Sequence, residues 1–234
     1  MTGSDVQLVQ SLSRGLAVIR AFDGERPRQS LAQVAEATGL PRATVRRFLH
    51  TLVAEGYAAS NGSVFWLTPK TLELGYSYLS GLGLPAIAQP HLDALSRTLN
   101  ESCSLTVLDT SDVVYVARAA ANRIMSVNIT IGTRFPAYVT SMGRVLLAGL
   151  PPAALDAYLA DIALKPFTPK TVTNPDELKQ LLIDVRRQGH CIVDQELELG
   201  LRSVACPVRG SAGTAVAAVN VSAHAGAVGH REVV

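Results

Sequence analysis

Cysteine is scarce in this sequence, with three residues in a chain of 234. Cys103, Cys191 and Cys206 are too few and too widely separated for a disulfide framework or a zinc cage. No apolar run approaches the roughly 18 residues of a membrane-spanning helix, and the N-terminus lacks the apolar segment of a signal peptide. We therefore expect a cytoplasmic protein with reduced thiols and no bound metal.

Catalytic motifs are also missing. The five histidines form no metalloprotease motif, and the sequence contains neither a G-x-S-x-G nucleophile motif nor a phosphate-binding loop. His190 beside Cys191 suggests a thiol nucleophile, but adjacent residues of a strand point to opposite faces. The sequence therefore predicts no catalytic residue and no cofactor, and an enzyme with a catalytic C-terminal domain is only a distant alternative.

The chain has little net charge. It carries a formal charge of +2, and 17% of its residues are charged against 48% that are apolar. This composition is typical of a globular protein, and the length allows one large or two small domains. Residues 1–80 contain eight Lys or Arg and six Asp or Glu, so the whole positive excess lies in this part. An excess this small does not by itself establish a nucleic-acid partner.

The first part of the chain predicts three helices. The first has an apolar face at helical spacing, formed by Leu8, Leu12, Leu16 and Ile19. The second begins with a capping box of Ser30 and Gln33 and ends at Gly39. Pro41 opens the third, which ends at Gly56 and whose expected buried side consists of Val45, Phe48, Leu49 and Leu52.

A hairpin follows these helices. Asn61-Gly62 lies between two short apolar runs and favours a two-residue turn. The order of helix, helix, turn, helix and hairpin is the outline of a winged helix-turn-helix. We therefore predict a DNA-binding domain over residues 1–67.

The exposed face of the third helix is the predicted DNA-reading surface. No acidic residue occurs between Pro41 and Ala54, and small, hydroxyl and arginine side chains crowd the first turns. Arginine binds guanine edges bidentately, and the other side chains suit phosphate. A solvated basic helix is the alternative. With the start of the second helix and the hairpin included, the predicted DNA-binding residues are Ser30, Arg42, Ala43, Thr44, Arg46, Arg47, His50 and Asn61.

A linker helix is predicted over residues 68–83. Leu72, Tyr76 and Leu79 form an apolar stripe on it, and such a stripe between two domains has no core of its own. A helix from a second subunit would cover it, although packing within the chain is the commoner role of such a stripe. The breaker cluster Gly81 to Pro85 marks the domain boundary.

Residues 84–234 alternate between helical and extended patterns. Strands are predicted at 104–108, 113–117, 125–131, 191–195, 203–208 and 215–222, and helices near 88–99, 141–150, 152–160 and 175–189. The first two strands flank the turn Asp109 to Asp112 and form a hairpin. This favours an α+β domain with a largely antiparallel sheet.

Two features of this second domain suggest a small-molecule site. A loop from Gly132 runs into a helix with Ser141 near its cap, and free N–H groups at a helix start attract carboxylates. Arg134 and Tyr138 lie in this loop, and Arg134 offers a charge-assisted bond. Asn220 and Ser222 share one face of a strand, and Ser203 is placed similarly. Solvated arginines and ordinary packing of the polar groups are the alternatives.

The residues match a known family in both domains. Leu12 to Gly56, with Leu40-Pro41-Arg42-Ala43-Thr44-Val45-Arg46-Arg47-Phe48-Leu49, resembles the winged helix-turn-helix of IclR-type transcriptional regulators. Gly189-His190-Cys191-Ile192-Val193-Asp194-Gln195-Glu196 and Gly200-Leu201-Arg202-Ser203-Val204-Ala205 are similar to the family's C-terminal signature. The segment from Gly132 to Ala148 looks most like the branch that controls protocatechuate and 4-hydroxybenzoate catabolism through the β-ketoadipate pathway.

The resemblance implies a homodimer, sometimes a homotetramer, with a GAF-like effector-binding domain over residues 84–234. It implies a ligand-responsive regulator of aromatic-acid catabolic genes that binds double-stranded operator DNA. The effector would be a small carboxylate such as β-ketoadipate, protocatechuate or 4-hydroxybenzoate. A regulator of the same architecture that senses another acid, of the glyoxylate type or a sugar acid, is the alternative.

Family resemblance also assigns a pocket. The equivalent positions here are Val127, Phe135, Ser141, Met142, Val193, Leu201, Ser203, Asn220 and Ser222. Val193 stands where the family commonly has Asp or Ser, and Arg209-Gly210 replaces an aromatic or His followed by Asp or Asn. The sequence also ends at Val234 without the expected final helix. The first departure would remove one polar ligand contact. The shorter end is that of a truncated or altered C-terminus, and it bears on the closure of the pocket and on the tetramer.

Overall fold

The computed structural model describes residues 8–121 and 129–226. The chain divides into two compact units between Gly81 and Leu82. Within the described residues, no helix combines the length and the apolar character that crossing a membrane requires.

The N-terminal unit has the predicted helices and hairpin and one further strand. Its elements are α1 (Gln10–Arg20), β1 (Gln29–Ser30), α2 (Leu31–Thr38), α3 (Arg42–Ala54), β2 (Ala58–Ser60), β3 (Val64–Leu67), a 3-10 turn (Pro69–Thr71) and α4 (Leu72–Leu82). The three strands form an antiparallel sheet in the order β1-β3-β2. β1 was not predicted, because a two-residue strand has no periodic pattern in the sequence.

The start of α2 confirms the predicted capping box. The Ser30 side chain accepts from the Gln33 N–H, and the Gln33 side chain accepts from the Ser30 N–H at 2.8 Å. Gly39 ends the helix in the left-handed region, with φ of 66°, where glycine has no steric penalty. The sharp turn into α3 therefore follows from local sequence alone.

The predicted apolar face of the first helix is not the side that packs in the core of this unit. Val18 is fully buried against α2 and α3, whereas Leu8, Leu12 and Leu16 are exposed. The apolar row of α4 is exposed in the same way, and Leu72 keeps 75% of its surface accessible. Helical spacing identified an apolar face correctly in both helices, but this unit does not cover either face.

The hairpin turn is one residue displaced from the prediction. The Asn61 N–H donates to the Val64 carbonyl, so Gly62 and Ser63 are the central residues. The side-chain oxygen of Asn61 accepts from the N–H groups of Ser63 and Val64 at 3.2 and 3.0 Å. The asparagine side chain thus closes an Asx turn, which shifts the turn centre toward the following residues.

In its described residues, the C-terminal unit combines four helices with a six-stranded sheet. Its elements are α5 (Leu84–Leu99), β4 (Ser102–Asp109), β5 (Asp112–Ala119), β6 (Arg134–Pro136), a 3-10 turn (Ala137–Val139), α6 (Ser141–Ala148), α7 (Pro152–Asp161), α8 (Pro175–Gln188), β7 (Cys191–Asp194), β8 (Leu201–Arg209) and β9 (Ala215–His224). The strand order is β6-β5-β4-β9-β8-β7, and every neighbouring pair is antiparallel. The predicted α+β class with an antiparallel sheet is confirmed.

One predicted strand lies mostly outside the described residues. It was placed at 125–131, of which only Ile129 to Ile131 are described, and these three are not extended in a ladder. The strand at this edge is instead β6, where Val113 pairs with Phe135 and Val114 with Arg134. Gly132 and Pro136 made this segment look like a loop in the sequence.

Helix α6 is the centre of the second core. All eight of its residues are buried, and it packs on β8 and β9 as well as on α8. Thr140 is the N-cap, one residue before the predicted Ser141, and its hydroxyl accepts from the Gly143 N–H at 3.0 Å. The first turn of this helix therefore lies inside the domain.

Candidate functional site

The face of α3 that was predicted to bind DNA is exposed. Arg42, Ala43, Arg46, Arg47 and His50 are accessible, and Thr44 is half-buried. Val45 and Leu49 on the opposite side are fully buried, so packing fixes which way the arginines point. Among the residues that the structure describes, no acidic side chain forms an ion pair with the three arginines. The face therefore presents three uncompensated cations.

The start of α3 adds backbone donors to this face. Pro41 is the N-cap and provides no side-chain cap, so the first N–H groups of the helix are free at an exposed end. The N–H groups of Thr44 and Val45 already donate to the Pro41 carbonyl. Free N–H groups at a helix start suit a DNA phosphate.

Ser30 and Asn61 do not have the free side chains that the sequence suggested. The Ser30 hydroxyl contacts Gln33 Oε1 at 2.9 Å and caps α2. The side-chain oxygen of Asn61 accepts from the Val64 N–H and closes the hairpin turn. Both side chains are therefore occupied in stabilising their own segments. The sequence showed these capping tendencies, and the DNA contacts of Ser30 and Asn61 remain predictions.

The second unit has a small cavity between the start of α6 and the sheet. It is lined by Tyr115, Ile129, Val139, Thr140, Ser141, Met142, Val193, Leu197, Leu201, Ser203, Asn220 and Ser222. Its volume is about 20 Å³, which is room for about one water molecule. A carboxylic acid of six or more heavy atoms can enter only if the walls move apart.

Seven predicted effector residues meet at this cavity, which are Ser141, Met142, Val193, Leu201, Ser203, Asn220 and Ser222. The hydroxyls of Ser141 and Ser203 form a hydrogen bond of 2.9 Å, and the side-chain amide nitrogen of Asn220 donates to Ser222 Oγ at 2.8 Å. The side-chain carbonyl oxygen of Asn220 is buried and has no hydrogen-bond partner among the described residues. A buried polar atom of this kind normally finds a partner, and a bound ligand can provide it.

Three predicted effector residues do not line the cavity. Arg134 lies on the surface, where Asp109 and Asp112 bind its guanidinium at 2.7 and 3.2 Å. Tyr138 is buried with its hydroxyl against the Lys165 backbone, and Phe135 packs edge-on against Tyr115 with ring centroids 6.0 Å apart. These three side chains have partners other than the cavity, and their effector contacts remain predictions. Val127 lies outside the described residues.

The sequence did not single out the other lining residues, which are Tyr115, Ile129, Val139, Thr140 and Leu197. Val113 and Tyr115 lie two residues apart on a predicted strand and so share a face. This spacing could have indicated that the Tyr115 ring points into the domain. Burial raises the pKa of Tyr115 to about 12, so its hydroxyl remains a hydrogen-bond donor at neutral pH. The cavity thus has hydroxyl donors on at least two of its walls.

A buried ion pair holds one wall of the cavity. The Arg144 guanidinium on α6 donates to both carboxylate oxygens of Glu196 at 2.7 and 2.6 Å, and its Nε donates to the Tyr138 carbonyl. Glu196 also accepts from the Val172 N–H at 3.0 Å. Because Leu197 is the next residue, this pair fixes the segment that closes the cavity.

The thiol beside His190 is unsuited to catalysis. Cys191 is buried in β7, and burial raises its pKa to about 12. A nucleophilic cysteine needs a lowered pKa and access to a substrate. Within the described residues, no group of three or more metal-ligating side chains is present either.

Two family models match the chain. The model described as IclR helix-turn-helix domain matches residues 11–62. The model described as Bacterial transcriptional regulator IclR C-terminal matches residues 76–233. The two matches correspond to the unit that exposes the arginine face and to the unit that holds the cavity.

Individual relatives agree with the family match. The Pca regulon regulatory protein of Pseudomonas putida is 46% identical, over 97% of this chain and 79% of the relative. The p-hydroxybenzoate hydroxylase transcriptional activator of Acinetobacter baylyi is 37% identical, over 91% of this chain and 80% of the relative. A crystal structure of a transcriptional regulator from Rhodococcus sp. RHA1 has a TM-score of 0.86 at 58% identity and covers 96% of this chain and 90% of its own.

These matches settle the class of protein. They span both units, and the matched proteins are regulators, so the distant alternative of a catalytic second domain is wrong. The chain belongs to the IclR family of bacterial transcriptional regulators.

Proposed function

We propose that this protein regulates genes of aromatic-acid catabolism in response to a small carboxylate. The observation that carries the DNA-binding part is the exposed row of unpaired arginines on α3. The choice of pathway rests on the likeness to the Pca regulon and p-hydroxybenzoate hydroxylase regulators. Because genomic DNA is the target, the protein acts in the cytoplasm.

The regulator acts as a homodimer, with pairing of dimers into tetramers as a further prediction. Leu12 and Leu16 of α1 and Leu72 and Tyr76 of α4 are exposed apolar side chains that a second copy would cover. Two α3 helices then enter successive major grooves of a pseudo-palindrome about 34 Å apart. Such a partner explains why two amphipathic helices leave an apolar face in solvent.

The effector binds in the cavity at the start of α6. Its carboxylate accepts from the first N–H groups of the helix and from the hydroxyls of Ser141 and Ser203, which already meet at 2.9 Å. Since the cavity must widen to admit the acid, the effector binds an opened arrangement better than the closed one. That difference in affinity is what can shift the subunits between two arrangements on DNA.

Removing either of two α3 arginines should weaken operator binding. We expect Arg46→Ala and Arg47→Ala each to cost about 1–3 kcal/mol if the side chain contacts a base, because a bidentate contact is lost. Fluorescence anisotropy with the operator found upstream of the regulated genes measures this. Wild-type affinity should also fall steeply with salt, because phosphate contacts release counterions.

Arg187→Ala is the matched control for these variants. Arg187 is exposed on α8 and pairs only with Asp184 among the described residues, so its loss should leave operator affinity unchanged. If Arg46→Ala and Arg47→Ala both bind like the wild type, α3 does not read DNA and this part of the proposal fails.

Effector binding should raise thermal stability. A ligand at 100 times its Kd stabilises the native state by about 2.7 kcal/mol, which corresponds to a Tm increase of several degrees in a domain of this size. We expect β-ketoadipate, protocatechuate or 4-hydroxybenzoate to produce this shift in thermal denaturation. An increase in Tm with glyoxylate or a sugar acid, and none with these three acids, would favour the alternative effector class and contradict the assignment to aromatic-acid catabolism.

A further inference from the structure

The C-terminal unit has a larger cavity at the opposite end of α6 from the proposed effector site. Its volume is about 230 Å³, against about 20 Å³ for the cavity at the start of the helix. The lining includes Val145, Ala148, Val185, Arg186, Pro207 and Arg209. The two cavities share no lining residue, and α6, whose eight residues span about 12 Å, lies between them. This second cavity can therefore hold a small molecule without movement of its walls.

Two arginines line this cavity, one from α8 and one from the end of β8. Arg186 Nε donates to the Ala148 carbonyl and Nη2 to the Leu150 carbonyl, both at 2.6 Å. Arg209 Nη1 donates to the Gly213 carbonyl at 2.8 Å. Within the described ranges, Nη1 of Arg186 and both Nε and Nη2 of Arg209 have no hydrogen-bond partner. Bonds to the backbone therefore hold each guanidinium in place and leave N–H donors free for a ligand.

The charge of these two arginines is not balanced by an acid. In the part of the chain that the structure describes, no carboxylate forms an ion pair with either of them, whereas Arg187, the next residue of α8, pairs with Asp184. The carbonyl groups at the end of α6 carry partial negative charge, but the bonds from Arg186 satisfy two of them. Both arginines are exposed, so a solute can reach them. The cavity therefore attracts anions.

Apolar side chains form the rest of the lining. Val145, Ala148 and Val185 are buried and lie beside the two guanidinium groups. Apolar groups cannot solvate an ion, so the arginines face a region of low dielectric on this side. An anion that binds here is attracted more strongly than one beside an arginine surrounded by water.

We propose that this cavity binds a phosphate group, either as inorganic phosphate or as part of a phosphate ester. The planar fork of an arginine matches the oxygens of phosphate, and two forks can share one such group. Phosphate carries up to two negative charges on a single group, which equals the charge of Arg186 and Arg209, whereas a carboxylate carries one. The apolar lining accommodates the carbon atoms of an ester. This site is separate from the proposed effector site and takes a different class of ligand.

Calorimetric titration of the full chain with inorganic phosphate and with glycerol 3-phosphate, in a chloride buffer of fixed ionic strength, tests this site. We expect the wild type to bind at least one of the two. Arg209→Gln and Arg186→Gln should each weaken that binding by about tenfold or more, because a charge-assisted hydrogen bond is lost. Acetate should bind the wild type about tenfold more weakly than phosphate, since it carries one charge. Equal affinities for the two phosphates identify the phosphate group as sufficient, and tighter binding of the ester identifies an added contact with the apolar lining.

Arg187→Gln is the matched control. Arg187 is exposed on the same helix but does not line the cavity, so this variant should bind phosphate like the wild type. Because Arg186 also holds the end of α6, the exposed Arg209 provides the variant that remains informative if Arg186→Gln does not fold. The assignment is overturned if neither phosphate binds the wild type, if folded Arg209→Gln binds phosphate with unchanged affinity, or if acetate binds as tightly as phosphate. None of these results affects the proposed function, because the proposed effector site has a different lining.

Discussion

Gly143→Ala should prevent the C-terminal unit from folding stably. A Cβ built on Gly143 would overlap the backbone of Ala137, including its carbonyl oxygen, in the fully buried first turn of α6. A backbone cannot swing aside as a flexible side chain can, so either α6 or the preceding 3-10 turn must move. We expect a loss of about 4 kcal/mol or more in the free energy of unfolding, which is diagnostic of a severe packing defect. Chemical denaturation followed by circular dichroism measures it.

Gly75→Ala is the control for this substitution. Gly75 is an exposed glycine inside α4 with nothing within 4 Å of an added Cβ. Alanine is a better helix former than glycine by up to about 1 kcal/mol, so this variant should be as stable as the wild type or slightly more stable. A Gly143→Ala protein with wild-type stability would mean that the close approach of α6 to Ala137 is not required.

Breaking the Arg144–Glu196 pair should have the second largest effect. We expect Arg144→Met to destabilise the protein by about 3–5 kcal/mol, because it leaves a buried carboxylate without its partner. The double variant Arg144→Met/Glu196→Gln should recover part of this loss, since no isolated charge remains. Denaturation of the wild type, both single variants and the double variant gives the coupling energy.

The surface pair of Arg187 and Asp184 provides the comparison. Its members are exposed, so removing Arg187 should cost at most about 1 kcal/mol. If Arg144→Met costs no more than Arg187→Ala, then Arg144 and Glu196 do not hold the cavity wall, and another contact must fix the segment that carries Leu197.

Local chemistry explains which parts of the fold were predictable. The capping box of Ser30 and Gln33 is a contact between neighbouring residues, and it is present as predicted. The hairpin of β4 and β5 was likewise recognisable from its apolar runs and its short turn. Signals of this kind act within a few residues and need no knowledge of the rest of the chain.

The missed features depend on distant partners. Arg134 looked like a ligand contact until the register of β5 and β6 brought it to Asp109 and Asp112. Ser203, Asn220 and Ser222 were predicted because alternation along a strand and the family resemblance agreed on them, and the structure brings all three to one cavity.

With the effector bound in the narrow cavity, as we propose, the closed walls have a consequence for how the regulator responds over time. A molecule that can enter only after the walls part has an apparent Kd that exceeds the intrinsic value by the inverse of the open fraction. Acids that bind too weakly to offset the free energy of opening the cavity produce no response. The closed walls therefore set a minimum affinity that an effector must have. The rate of response should then level off at high effector concentration, where spontaneous opening becomes the slow step.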